Sequence, residues 1–128
     1  MDYRKEDMLA RLKEFERNDK YDWALFGGKV GEINVDYDTL VEVFGEPDPD
    51  LCRDSKTDAN WAIDTMDRDG SKRYISIYNW KDGKNYLGKK GTPASEITEW
   101  MVGGKKESDV GTILDIIGIS LILSKWMD

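Results

Sequence analysis

Apolar residues recur at helical spacing at the start of the chain. Met8, Leu9, Leu12 and Phe15 stand among charged neighbours, which predicts an amphipathic helix over 3–17, ended by Asn18-Asp19. Trp23 to Phe26 reads as a short strand or a packing anchor ahead of Gly27-Gly28, and 29–35 follows neither period. A short helix is predicted over 36–45. Asp36 or Asp38 is its N-cap, Leu40, Val41 and Phe44 its buried face, Gly45 its C′ residue and Pro47 its stop. An acidic loop with two prolines follows, from Glu46 to Asp58.

The pattern then changes to period two. Strands are predicted at 61–66, at 74–80 and at 97–102. Asp69-Gly70 gives the first two a hairpin turn, and Gly103-Gly104 closes the third. Ser108 or Asp109 caps a final helix with Val110, Ile113, Leu114, Ile117, Leu121 and Trp126 directed inward. Ile116, Ile119, Ile122 and Leu123 widen that face, so the helix is expected to be covered on more than one side. The order predicts one α+β domain over 1–128. It is a three-stranded antiparallel meander with N-terminal, short middle and C-terminal helices packed on one face.

Each predicted strand carries one tryptophan: Trp61, Trp80 and Trp100. They serve either as cross-strand packing or as an exposed stacking platform. A chain of 128 residues buries roughly two-thirds of its unfolded surface, enough for a core without metal or disulfides. The apolar run from Val110 to Met127 is interrupted by Asp115, Gly118, Ser120, Ser124 and Lys125 and reads as a buried helix, not a membrane span. Its alternative role is a dimer or partner surface.

The absence of histidine removes the commonest general base and metal ligand. Ser-His and Cys-His nucleophiles and Cys/His zinc sites are excluded with it. The lone Cys52 forms no internal disulfide, and the first seven residues contain no apolar h-region. A reducing, cytoplasmic setting is expected. No motif implies a metal or cofactor. Asp67-Arg68-Asp69-Gly70 falls short of a calcium loop because Ser76 stands where the bidentate glutamate belongs. Gly103-Gly104-Lys105-Lys106 falls short of a P-loop because Glu99 occupies the place of the first glycine. A glycine turn feeding a helix N-terminus remains there, with Gly104, Lys105, Lys106 and Ser108 as a candidate anion site.

The net charge of -7 argues against duplex nucleic acid and anionic membranes as partners. It is unevenly spread. Residues 32–69 hold twelve acids and three bases, whereas residues 70–90 hold six bases and one acid. Asp48, Asp50, Asp54 and Asp58 mark either a solvated loop or a surface that docks on a basic protein groove. Arg73, Tyr78, Lys81, Lys84, Tyr86, Lys89 and Lys90 mark either edge protection or a site for a small phosphorylated ligand or an acidic partner.

The succession "YDTLVEVFGEPD", "KTDANWAI", "YISIYNWKDGKNYLG" and "ITEWMVGGK", spanning roughly 37–106, resembles a family of small, largely uncharacterised bacteriophage-encoded proteins. That family's third strand often carries Trp-His-Ile-Gly-Gly, and Trp100-Met101-Val102-Gly103-Gly104 stands here without the histidine. The residues nominate no acid/base couple or nucleophile, so a non-enzymatic protein is expected, and the resemblance implies the setting of an infected bacterial cytoplasm. Such a protein binds and blocks a bacterial host protein, in the manner of anti-CRISPR and other anti-defence factors. A small-ligand binder of nucleotides or nucleotide signals is the alternative expectation.

Overall fold

The computed structural model of the chain describes residues 15–18, 26–48, 56–67 and 69–127, the last five of these as backbone alone. The fold is α+β. Its sheet has five antiparallel strands: β1 (Glu16–Arg17), β2 (Gly28–Asn34), β3 (Asn60–Met66), β4 (Lys72–Tyr78) and β5 (Glu99–Gly104). Their order is β1-β3-β4-β5-β2, so the expected meander forms the centre and two further strands flank it.

The helix expected over 3–17 does not extend to its last residues, and 3–14 lie outside the described residues. Glu16 and Arg17 pair instead with Asp64 and Ile63. The Asn18 amide group donates to Asp64 Oδ1, and the Arg17 guanidinium donates to the carbonyls of Phe44 and Glu46. These long-range bonds fix an extended backbone where local pattern favours a helix. Phe26 is a packing anchor, fully buried and edge-on to Tyr74.

Helix α1 (Tyr37–Phe44) begins and ends where the sequence places it. Asp36 Oδ1 accepts from the Thr39 amide at 2.9 Å, and Gly45 turns the chain at φ 87°. The β3–β4 hairpin turns on Asp67, whose Oδ1 accepts from the amides of Asp69 and Ser71. Its register runs from Asn60 opposite Tyr78 to Met66 opposite Lys72. After β4 come helix α2 (Lys84–Leu87), two 3-10 turns and β5, then helix α3 (Ser108–Met127).

Helices α1 and α3 share one face of the sheet. There Leu40, Phe44, Ile113, Ile116 and Ile117 join Trp61, Ile63, Ile75, Ile77, Trp100, Val102 and Ile33 in a single apolar core. Trp61 and Trp100 meet edge to face at 5.4 Å, and each indole N–H donates to a carbonyl, of Gly45 and Val35 respectively. Two of the three strand tryptophans are therefore core. The third expectation is corrected: β4 ends at Tyr78, so Trp80 leaves the sheet and is 41% exposed. Gly103 and Gly104 lie within β5 and do not close it. Leu114 and Leu121, expected inward, are exposed, and so is Ile122. Among the described residues no helix is long and apolar enough to cross a membrane.

On the surface of β2 and β5, the Glu99 carboxyl is held above its ordinary value by a hydrogen bond to Glu32 and by that neighbour's charge. Lys29 binds Glu32 at 2.7 Å and holds Glu32 ionised. A raised folded-state value means that folding favours the protonated Glu99, so its contribution improves as pH falls through that value. Glu99→Gln is expected to be more thermostable than wild type at neutral pH. That advantage should disappear well below the ordinary glutamate value of 4.5 in a pH series of melting temperatures.

Candidate functional site: an exposed aromatic and lysine loop

The chain leaves β4 at Asn79, a fully buried side chain that makes four hydrogen bonds. Its Oδ1 accepts from the amides of Asp58 at 2.6 Å and Ala59 at 3.1 Å. Its Nδ2 donates to Asp58 Oδ1 at 3.0 Å and Asp82 Oδ1 at 2.9 Å. Asp58 Oδ2 also accepts from the Asn85 amide in the first turn of α2, and Asn85 Nδ2 donates to the Thr57 carbonyl. The Lys81 amide donates to the Lys56 carbonyl at 2.7 Å. Gly83 is buried so tightly against Asp58 that a Cβ there would collide with its carboxylate.

This network supports an exposed tip. Trp80, Tyr86 and Leu87 are among the exposed large hydrophobic residues. Lys81 spans two of them, its Nζ 5.7 Å from the Trp80 ring centre and 5.5 Å from that of Tyr86. Lys56 Nζ lies 5.5 Å from Trp80, and Tyr78 meets Trp80 edge-on at 6.3 Å. Lys84, Lys89 and Lys90 are exposed on the same loop, and none is in an ion pair with a described residue. Lys81 has φ 61°, the one non-glycine residue with positive φ among the described residues. Left-handed backbone costs an ordinary residue about 1–2 kcal/mol, and such strain concentrates at functional positions.

The structure thus brings together Tyr78, Lys81 and Tyr86 from the basic set and places Lys84, Lys89 and Lys90 beside them. Trp80 and Lys56 join them, one read from sequence as a sheet residue and the other set in the acidic half. Tyr78 is half-buried, and that burial pushes its hydroxyl pKa up. Residues 77–90 are accordingly the end of a strand running into a helical turn. Asn79→Ala would leave the buried amide of Ala59 and the part-buried amide of Asp58 without their acceptor, at about 1–3 kcal/mol for the buried one. Amide exchange is expected to accelerate at Lys81 and Leu87, with smaller changes in β3 and β5.

Arg73 does not belong to the loop. Its Nε donates to Asp109 Oδ1 at 2.7 Å and its Nη2 to Asp109 Oδ2 at 3.0 Å, with the Asp109 side chain 1% exposed. Asp109 raises the Arg73 pKa through that hydrogen bond. The Gly104-Lys105-Lys106-Ser108 turn is occupied by the same carboxylate, since Asp109 Oδ2 accepts from the amides of Lys105 and Lys106. An external anion would have to displace the chain's own. Of the acidic set, Asp58 is committed to the loop network, and the Asp48 amide donates to the Asn60 carbonyl. Asp50 and Asp54 lie outside the described residues. Among the described residues no three acidic or thiol side chains converge to hold a metal ion.

Comparison with protein-family models gives no match, and no curated protein matches the chain.

Proposed function

We propose that the protein is a non-catalytic binding protein of bacteriophage type. In this reading it docks through loop 80–90 on a negatively charged surface of a bacterial host protein and blocks it. The carrying observation is the rigidly held tip that points Trp80, Tyr86 and Leu87 at solvent among lysines. Buried tryptophan and tyrosine anchors supply most of the energy of protein interfaces, and rim charges supply on-rate and partner choice. The resemblance of the 37–106 sequence to small phage proteins supplies the host and the cytoplasmic setting. In this reading the acidic Asp48, Asp50 and Asp54 stretch steers orientation, while Asp58 acts by holding the loop.

The test is capture of a host protein from bacterial lysate, followed by affinity measurement on the purified pair. Trp80→Ala is expected to weaken the complex by about 2 kcal/mol, roughly 30-fold. Lys84→Glu/Lys89→Glu/Lys90→Glu should slow association and flatten its salt dependence. Lys81→Gly gives a sharper check. It relieves about 1–2 kcal/mol of backbone strain, and it forfeits about 0.5–1 kcal/mol for each exposed cation–π interaction that the lysine makes. The variant is therefore expected to fold no less stably yet bind more weakly. Undiminished binding by all three folded variants rejects the loop as the docking site.

A second reading places a small phosphorylated aromatic ligand on the same tip, supported by the proximity of Trp80, Tyr86 and the lysines. Such a ligand at 100 times its dissociation constant stabilises the fold by about 2.7 kcal/mol. A nucleotide panel that leaves the melting temperature unchanged rejects it.

A further inference from the structure

The tip formed by loop 80–90 sorts its charges. Asp58 and Asp82 are turned in on the Asn79 amide group, whereas Lys81, Lys84, Lys89 and Lys90 are exposed. A chain of net charge -7 thus presents a cationic end, with Trp80, Tyr86 and Leu87 exposed among the lysines. The rings disfavour a nucleobase there. Lys81 Nζ lies over both the Trp80 and the Tyr86 ring, and Lys56 Nζ lies over Trp80 as well. A base stacking on the lysine side of either ring would have to displace an ammonium group. The backbone disfavours a lone phosphate. Phosphate sites are built from main-chain N–H groups or from the arginine fork. Here the Lys81 amide is engaged by the Lys56 carbonyl, that of Asn85 by Asp58, and those of Tyr86 and Leu87 by the Gly83 carbonyl. No arginine lies between 80 and 90.

We infer that the tip receives an acidic polypeptide segment that carries an apolar side chain among its carboxylates. The inference names the partner's chemistry for the docking reading above and rests on it. Lysines spread along a loop are separate point charges, and they match separate carboxylates better than one compact anion. The partner's apolar side chain covers Tyr86 and Leu87 at the centre, and its carboxylates meet the ammonium groups around them, the usual division between an apolar interface core and a charged rim. The negative charge of the rest of the chain repels such a segment, which confines it to the tip.

The experiment titrates the full chain, followed by amide resonances, with a random glutamate–leucine copolymer, poly-L-glutamate, ATP and inorganic phosphate. The copolymer is expected to shift the amides of Lys84, Tyr86, Leu87, Lys89 and Lys90. It should bind roughly tenfold more tightly than poly-L-glutamate, the gain from burying one aliphatic side chain. Leu87→Ser, at an exposed position, should cancel that difference and leave poly-L-glutamate binding unchanged. Lys84→Glu/Lys89→Glu/Lys90→Glu should abolish binding of both polymers. Equal affinity for the two polymers overturns the proposal, and so do shifts that fall outside the loop. ATP or phosphate binding the tip more tightly than the copolymer assigns it to phosphate and overturns the proposal too. None of these outcomes touches the docking reading, whose own failure is host capture that survives the tip variants.

Discussion

Asp109→Ala is expected to lower the unfolding free energy by about 3–5 kcal/mol, the usual cost of removing one partner of a buried ion pair. Arg73 would be left with a side chain only 12% exposed and no Asp109 carboxylate to receive Nε and Nη2. The turn would lose its organiser as well, since the amides of Lys105 and Lys106 share Asp109 Oδ2. One side chain thus joins β4, the end of β5 and the first turn of α3. A urea titration of Asp109→Ala should show a lower midpoint with little change in slope. Pairing it with Arg73→Met should restore part of the loss, because the stranded charge is gone. If the double variant is as unstable as the sum of the two single ones, Arg73 and Asp109 are not coupled and the ion pair carries little.

Trp100→Ala is expected to cost a similar amount, about 3–5 kcal/mol, a large share of the roughly 5–15 kcal/mol that holds a domain of this kind. Trp100 is fully buried between β2 and β4 in the strand order, edge-on to Trp61 and 6.3 Å from Tyr37. Its removal opens the middle of the core beneath α1. Trp100→Phe separates packing from hydrogen bonding. It keeps an aromatic ring but leaves the Val35 carbonyl without the indole donor at 3.0 Å. Its loss should be a fraction of that of alanine. Calorimetric melting of the two variants checks the ranking, and an alanine variant as stable as wild type would show that the core repacks around the void.

The elements that the sequence announced are those built from neighbours. Asp36, Gly45 and the Asp67 turn act within five residues of themselves, so their residue types carry the signal. The features it concealed depend on distant partners. Strand β2 contains two glycines and buries only Ile33 fully, and its pairing with β5 lies about seventy positions downstream. The alternation of β4 runs on to Trp80 in the sequence. The backbone leaves the sheet two residues earlier because Asp58 and Ala59 hold Asn79. Arg73 and Asp58 read as members of charged sets by composition, and in the fold each is committed to residues more than twenty positions away. Of the candidate site, the lysines and tyrosines were legible. Trp80 as their centre was not, because its exposure follows from those distant contacts.

The loop's division of labour has an evolutionary consequence. Asn79, Asp58 and Gly83 set the path of the backbone, while positions 84, 86, 87, 89 and 90 project outward and add nothing to the core. Mutational drift at the outward positions is nearly free of folding cost, whereas drift at the three supports is not. If the tip docks on a target as proposed, a lineage whose target changes its own surface can rewrite the tip residue by residue and keep the same domain beneath it.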